Sequence, residues 1–151
     1  MNLSDKTLEI AISQIGKKER PLGSNWGEPV KDYLASVGIG FPASWCMAFI
    51  YWCHKNAAEC LNISNPAIRT GGVLKAWNDS PKEKKSLVPI KGSVFIMDFG
   101  KGLGHAGIVE SFDSEFIYTI EGNTNDTGTR EGVEVCRKKR KRNTIKGYLK
   151  Y

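Results

Sequence analysis

The sequence lacks a long apolar segment, and its first twenty residues lack the order of a secretion signal. A membrane-spanning helix needs about 20 consecutive apolar residues, and no stretch approaches that length. Residues 1–20 contain no basic start followed by an apolar run and small residues. Their apolar residues recur at helical spacing instead: Leu8, Ala11, Ile12 and Ile15. We therefore expect a chain that is made in the cytoplasm without a signal peptide or a membrane span.

The four cysteines show no paired spacing. Cys46, Cys53, Cys60 and Cys136 include no C-x-x-C pair, which excludes a zinc ribbon or a thioredoxin-type motif. If Cys46 and Cys53 share a helix, their Cα atoms lie about 10.5 Å apart, beyond the roughly 7 Å limit for a disulfide. We expect four thiols in a reducing compartment.

Excess positive charge is absent outside one segment. The formal net charge is +6, and the run RKKRKR, which begins at Arg137 and ends at Arg142, accounts for all of it. A nucleic-acid-binding protein usually spreads basic residues over one face and carries a recognisable motif; none is found, so we expect no nucleic-acid partner. The run is either a solvated turn or a patch that attracts an anionic polymer.

Periodicity divides the chain into a helical half and a strand half. A length of 151 residues is typical of a single domain, 1–151, with its own core. Ser4 or Asp5 is a candidate N-cap for the first helix, and Ser44 for the third. Helical patterns cover residues 4–15, 30–37, 45–59 and 72–77. Strand patterns cover residues 93–99, 105–110, 116–121, 133–137 and 145–151, with the basic run at the last junction. This order predicts an α+β domain with an antiparallel sheet.

Cys46 stands at the predicted start of an apolar helix, in P-A-S-W-C-M-A-F-I-Y-W-C. A helix N-terminus presents unpaired N–H groups and the positive end of the helix dipole. Both favour the thiolate, which is the nucleophilic form of the side chain. The alternative is a buried apolar role, which most free cysteines have. Cys53, two turns further along the same face, is interpreted as core, and its neighbour His54 as a solvated histidine.

Two further segments supply candidates for a base and its partner. His105 lies in G-L-G-H-A-G-I-V-E, where a glycine loop enters a predicted strand, and a cysteine hydrolase needs such a base. Glu121 ends the next predicted strand, in Y-T-I-E-G-N-T-N. Antiparallel pairing would bring its carboxylate beside the imidazole, where it would fix the tautomer. Asn123 is a second candidate for that role. The alternatives are a strand-edge histidine and a solvated turn carboxylate.

Aromatic residues near these segments have two interpretations. Asn25 and Trp26 lie in a loop rich in Gly and Asn, and Trp45 directly precedes Cys46. Aromatic walls can hold a sugar or a peptide in a cleft, so we take Asn25, Trp26 and Trp45 as candidate substrate-binding residues. Core packing is the alternative for each tryptophan.

The segments W-C-M-A-F-I-Y-W-C, G-H-A-G-I-V-E and I-E-G-N-T-N, in this order, resemble the CHAP family (cysteine, histidine-dependent amidohydrolase/peptidase). This family belongs to the papain-like superfamily of bacterial cell-wall hydrolases, close to the NlpC-type peptidases. The resemblance runs from about Ile10 to the end of the chain. It implies a papain-like fold with Cys46 as the nucleophile and His105 as the base. Glu121 would orient His105, and Asn123 would be a fourth polar residue of the site.

The resemblance also implies a substrate and a reaction. We expect cleavage of a peptidoglycan amide, either N-acetylmuramoyl-L-alanine or a stem or cross-bridge bond, through a cysteine acyl-enzyme. The alternatives are an acyltransferase or transpeptidase on the same scaffold, and a non-catalytic protein that binds an anionic polymer. The expected enzyme is a monomer that acts on the cell wall after release or injection, and the basic run would attract anionic envelope polymers.

We expect no cofactor and no metal. A calcium loop of the EF-hand type begins with Asp and lies between two helices. The segment after the last motif matches that pattern only loosely, at Asn123, Asn125, Thr127, Gly128 and Glu134.

Overall fold

The computed structural model describes residues 1–122 and 133–151. Within these two segments the helices are α1 (Leu3–Ser13), α2 (Val30–Ser36), α3 (Cys46–Leu61) and α4 (Val73–Asp79). The strands are β1 (Lys85–Ser86), β2 (Val94–Gly100), β3 (Leu103–Phe112), β4 (Phe116–Glu121), β5 (Cys136–Lys141) and β6 (Gly147–Leu149). Four helices packed on a six-stranded antiparallel sheet confirm the predicted α+β class.

The sheet places β3 between β2 and β4. The strand order is β1-β6-β2-β3-β4-β5, and the described pairs are all antiparallel. His105 on β3 lies opposite Met97 on β2. Ile108 lies opposite Ile120, so Glu121 at the end of β4 is close in register to the start of β3. The antiparallel pairing predicted for the His105 and Glu121 strands is therefore present.

The helices cover one face of this sheet. Val94 and Ile96 of β2 join the main core together with residues of the helices, whereas Phe95 and Met97 belong to a second, smaller cluster. Because successive strand residues point to opposite faces, these two clusters mark the helix-covered face and the opposite face. Each fully buried side chain of this kind stabilises the fold by about 1.5–3 kcal/mol.

Two predicted helix starts are wrong. The N-cap of α1 is Asn2, whose side-chain oxygen accepts a hydrogen bond from the Asp5 N–H at 2.8 Å, because the helix begins at Leu3, one residue before the predicted range. The third helix begins at Cys46 and has no side-chain cap, so Ser44 does not cap it. The main-chain N–H groups at this end are thus left to other partners.

The basic run is a strand, which corrects its prediction as a junction between strands. All of its residues except Arg142 lie in β5, which pairs with β4 along the whole of that strand. Of the predicted strand 133–137, only Cys136 and Arg137 belong to β5. Val135 pairs with the segment after α1: it donates its N–H to Lys17 and accepts from Gly16. The side chain of Val135 is buried and belongs to the main core, and the run extends the sheet beside β4.

His54 is buried, so its interpretation as a solvated histidine is wrong. The residue is 2% exposed, its Nδ1 lies 2.9 Å from the carbonyl oxygen of Ile50, and its ring packs edge-on against Tyr151. Burial lowers the pKa of His54 to about 4, which outweighs the opposing hydrogen bond to Ile50. This histidine is therefore neutral and belongs to the packing of α3.

Candidate active site

Cys46 is the first residue of α3 and its side chain is buried, with 8% of the residue exposed. The first hydrogen bond of the helix runs from the Phe49 N–H to the Trp45 carbonyl oxygen at 2.9 Å. The first N–H groups of a helix have no acceptor within it. The sulfur atom therefore lies beside backbone donors and at the positive end of the helix dipole.

His105 links Cys46 to Glu121. Its Nε2 lies 2.7 Å from Oε1 of Glu121, and the Cys46 thiol is a hydrogen-bonding partner of the same ring. Since Nε2 is engaged by the carboxylate, Nδ1 is the nitrogen that remains for the thiol. The structure thus brings together three residues that the sequence placed on a helix and on two successive strands.

The surroundings of His105 and Glu121 favour the charged form of both side chains. Burial lowers the pKa of His105, but hydrogen bonds and charge interactions with Cys46 and Glu121 outweigh it and raise the pKa above its usual value. Burial raises the pKa of Glu121, but Arg140 and His105 outweigh it and hold the pKa well below its usual range. An anionic carboxylate and a cationic imidazole therefore stabilise each other near neutral pH.

Two other described residues donate hydrogen bonds to Glu121. Thr119 donates its hydroxyl to Oε2 at 2.6 Å. Arg140 donates Nε to Oε2 at 2.7 Å and Nη2 to Oε1 at 2.6 Å. Sequence reasoning missed Arg140 because it stands within a run of cations. The usable signal is strand alternation: with β5 antiparallel to β4, Arg140 lies opposite Ile117, on the face that Thr119 and Glu121 share.

Trp45 is part of the core, which corrects its prediction as a substrate-binding wall. The residue is fully buried, and its ring stacks on Tyr33 with centroids 5.6 Å apart. Its Nε1 donates to Oε2 of Glu19 at 2.8 Å. Glu19 is itself buried, and its Oε1 accepts the N–H of Gly23 at 2.9 Å. Glu19, which sequence reasoning also missed, joins the preceding loop to the start of α3.

The loop that carries Asn25 and Trp26 is tied to this same region. Both residues are half-buried, and the carbonyl oxygen of Trp26 accepts the N–H of Arg20 at 2.8 Å. The Lys31 ammonium lies 5.6 Å from the Trp26 ring centroid. Since Arg20 follows Glu19, the loop is held next to the residue that fixes Trp45. The role of Asn25 and Trp26 as substrate contacts stays a prediction.

Asn123 lies outside the described residues, as do Asn125, Thr127 and Gly128 of the loose calcium pattern. In residues 1–122 and 133–151, no group of three or more His, Cys, Asp or Glu side chains is placed to hold a metal ion. No helix in the same two segments combines the length and the apolar character needed to cross a bilayer.

The remaining cysteines differ from Cys46 in their surroundings. Cys53 is completely buried, which confirms its interpretation as core, and burial raises the pKa of its thiol. Cys60 is exposed and Cys136 is half-buried, and all four side chains are free thiols. Among the four, only Cys46 is a hydrogen-bonding partner of a histidine in the part of the chain that the structure describes.

Comparison with solved structures finds a similar fold in the crystal structure of Ly7917. The TM-score is 0.53 at 14% sequence identity, and the match covers 97% of this chain and 61% of that chain. At this identity the similarity shows the fold alone. The chain spans less than two thirds of that protein. Comparison with curated proteins found no match.

The family model of the CHAP domain matches residues 37–123, which is more than half of the chain. The matched segment includes Cys46, His105 and Glu121, the three residues that the structure connects through hydrogen bonds. The chain therefore belongs to the CHAP domain family, whose members are generally hydrolases of the peptidoglycan amidase or peptidase type.

Proposed function

We propose that the protein hydrolyses an amide bond of peptidoglycan through a cysteine acyl-enzyme, either N-acetylmuramoyl-L-alanine or a bond of the stem or cross-bridge. The observation that carries the proposal is the buried series from Cys46 through His105 to Glu121. A thiol, a base that contacts it and a carboxylate that orients the base form the arrangement that nucleophilic catalysis needs.

The first half-reaction begins from the thiolate form of Cys46 and the imidazolium form of His105. The Cys46 thiolate attacks the amide carbonyl carbon, and the carbonyl π electrons move to oxygen. The N–H groups at the start of α3 stand beside the sulfur and are suited to donate to this oxyanion. When the intermediate collapses, the C–N bond breaks and the His105 imidazolium gives its proton to the departing amine. The product is an amine and a thioester on Cys46.

The second half-reaction reverses these roles. Neutral His105 removes a proton from water, and the oxygen attacks the thioester carbon. Collapse of the second intermediate breaks the C–S bond, releases the carboxylic acid and restores the thiolate–imidazolium pair. Throughout, Glu121 holds Nε2 of the ring at 2.7 Å, so that Nδ1 stays directed at the reacting atoms.

The proposal includes attraction of anionic envelope polymers by exposed lysines of β5. Arg137 is paired with Glu110, and Arg140 with Glu121, so the attraction falls on the exposed Lys139 and Lys141. Their field is screened within about 8 Å at physiological salt, which favours faster encounter and leaves the chemistry alone. Replacing both with Gln should weaken binding to sacculi at low salt, and added salt should erase the difference.

The decisive experiment digests purified sacculi and identifies the new chain ends by mass spectrometry. Cys46→Ala should lower hydrolysis by on the order of 10³-fold or more and keep the melting temperature close to that of the wild type. Cys60→Ala, an exposed cysteine of the same helix, is the matched control and should hydrolyse normally. Iodoacetamide should label Cys46 before the other thiols.

Other outcomes would point elsewhere. Hydrolysis that survives Cys46→Ala, with labelling mainly at Cys60 or Cys136, would contradict the nucleophile. Wall binding that survives Cys46→Ser, in a protein without hydrolysis, would favour a non-catalytic polymer-binding role. Transfer of the acyl group to an added amine in place of water would identify an acyltransferase or transpeptidase, because both reactions share the same thioester.

A further inference from the structure

We propose that Arg140 is a positioning residue of this site, which neutralises and immobilises Glu121 so that the positive charge of His105 is available to the Cys46 thiolate. The inference rests on the proposed cysteine hydrolase and adds a residue that lies outside the three segments that resemble the CHAP family. It also gives one member of the basic run a role in the chemistry that is separate from any attraction of polymers.

The geometry around Glu121 leaves its carboxylate no freedom. Oε1 accepts from His105 Nε2 at 2.7 Å and from Arg140 Nη2 at 2.6 Å. Oε2 accepts from Arg140 Nε at 2.7 Å and from the Thr119 hydroxyl at 2.6 Å. Two oxygens with four acceptor positions therefore carry four hydrogen bonds. Rotation of the carboxylate would break at least one of them, so Arg140 fixes the atom that holds the imidazole.

Burial makes this contact different from an ordinary surface ion pair. The side chain of Glu121 is 0% exposed and that of Arg140 is 12% exposed. The Arg140 guanidinium lies 5.8 Å from the centroid of the Phe95 ring, and the His105 ring lies 6.0 Å from the same centroid. Phe95 is fully buried, so the two cations border one apolar ring, where charge interactions are screened less than in water.

The balance of charges shows what Arg140 contributes. In the thiolate form of Cys46 that the proposed reaction uses, the cluster holds two anions, the Glu121 carboxylate and the Cys46 sulfur, and two cations, His105 and Arg140. Without Arg140, the His105 imidazolium would be the one cation left among the described hydrogen-bond partners of Glu121, and the three buried groups that remain would carry a net negative charge. Formation of the thiolate would then be disfavoured, because an unbalanced buried charge is costly.

The ionisable groups facing Glu121 from the neighbouring elements are few among the described residues. Cys46 faces the pair from α3 and His105 from β3. Arg140 and Lys138 lie on the same face of β5, opposite Ile117 and Thr119, and it is Arg140 that makes the described hydrogen bonds to Glu121. Cys136, also on β5, lies opposite Glu121. Burial raises the pKa of the Cys136 thiol, and the charge of Glu121 adds to this. Cys136 is therefore a neutral thiol at physiological pH and does not replace Arg140 as a counter-charge.

The chain offers a matched control on the same strand. Arg137 also makes a two-bond contact to a carboxylate, with Nε 2.9 Å from Oε1 and Nη2 3.0 Å from Oε2 of Glu110. Its side chain is 56% exposed, and Glu110 does not contact His105 in the described part of the chain. Arg137→Gln thus removes the same kind of pair and the same charge from β5 without touching the site.

The test measures the rate of Cys46 alkylation by iodoacetamide against pH, and kcat and KM on a soluble stem-peptide fragment. Arg140→Gln should move the midpoint of the alkylation profile upward by about one pH unit and lower kcat by about 10–100-fold, with a much smaller change in KM. Arg140→Lys keeps the charge but not the two-bond contact, so its midpoint should stay near the wild type and its kcat should be intermediate. Arg137→Gln should match the wild type in all three quantities.

Three outcomes separate a positioning role of Arg140 from a purely structural one and from a failure of the proposed function. A folded Arg140→Gln variant with a wild-type alkylation profile, or with an equal loss at every pH, would overturn the proposal and leave Arg140 a purely structural role. If Arg140→Gln does not fold, a folded Arg140→Lys variant with wild-type kcat would overturn it. If the alkylation profile shifts as expected but the wild type cuts no peptidoglycan, the proposed function fails and the role of Arg140 stands.

Discussion

Gly122 follows the last residue of β4 and lies against the start of the helix that carries Cys46. A single methyl group at this position should disturb both the strand end and the helix start. A Cβ at this position would lie 2.6 Å from Cζ3 and 3.0 Å from Cε3 of Trp45, and 3.3 Å from Cβ of Phe49. Carbon atoms in contact rest about 3.5–4.0 Å apart. Gly122→Ala therefore requires a movement of about 1 Å, either of the Trp45 ring or of the strand end.

Movement of either the Trp45 ring or the end of β4 would displace residues of the candidate active site. The Trp45 ring is fully buried, stacked on Tyr33 and bonded through Nε1 to Glu19, and the residue directly precedes Cys46. The strand end can move only by carrying Glu121 with it. Overpacking of this kind costs about 1–3 kcal/mol, and each kcal/mol lowers the melting temperature of a chain this long by about 2–4 °C. A displacement of 1 Å at the reacting groups can lower turnover by about 10²-fold.

The assay pairs a thermal melt with hydrolysis of a peptidoglycan fragment and alkylation of Cys46. Gly40→Ala is the matched control, because a Cβ at that exposed residue meets no atom within 4 Å, so its melting temperature and turnover should equal those of the wild type. A Gly122→Ala variant with wild-type melting temperature and wild-type turnover would refute the reasoning, since the strand end and the nucleophile helix would then tolerate the added methyl group.

Two further predictions concern buried polar residues. Because burial lowers the pKa of His54 to about 4, the unfolded chain binds a proton below about pH 6.5 that the folded chain excludes. The free energy of unfolding should fall by up to about 3 kcal/mol as the pH is lowered from about 6.5 to 4. Urea titrations should show a smaller fall for His54→Phe than for the wild type. Equal falls in the two proteins would show that His54 does not cause the loss of stability. Glu19→Ala leaves the buried Trp45 Nε1 without its acceptor and should cost about 1–3 kcal/mol; the N–H of Gly23, an exposed residue, adds little. Glu9→Ala, at an exposed glutamate, should cost far less, and equal melting temperatures of the two variants would show that the buried contact contributes little.

The fold class and the three connected residues could be predicted from local patterns. The change from helical to strand periodicity near the middle of the chain gives the α+β order. Cys46 is marked by its position at the start of an apolar helix, and His105 and Glu121 by their positions on successive strands that pair antiparallel. Each of these inferences depends on spacing within a short segment, which the sequence displays directly.

The residues that were missed depend on contacts between distant segments. Glu19 meets Trp45 across 26 positions of the chain, and Arg140 meets Glu121 across 19. Within a run of cations, hydropathy does not distinguish the residue that turns inward from its neighbours. The prediction for His54 was wrong because its position next to Cys53 shows only that it lies on a different side of α3. That side is covered as well, because Tyr151 packs against the His54 ring.

The position of β5 has a consequence for the behaviour of the protein at high concentration. Among the strands that the structure describes, β5 stands at one end of the order, and five of its six residues are Lys or Arg. An outermost strand is where a sheet can recruit another chain and grow into an aggregate. A second copy arriving edge to edge would set a like row of cations about 4.8 Å away, and their repulsion opposes that pairing. Since the Debye length shrinks to about 3 Å at 1 M salt, this charge repulsion should oppose self-association most strongly at low salt and least strongly at about 1 M salt.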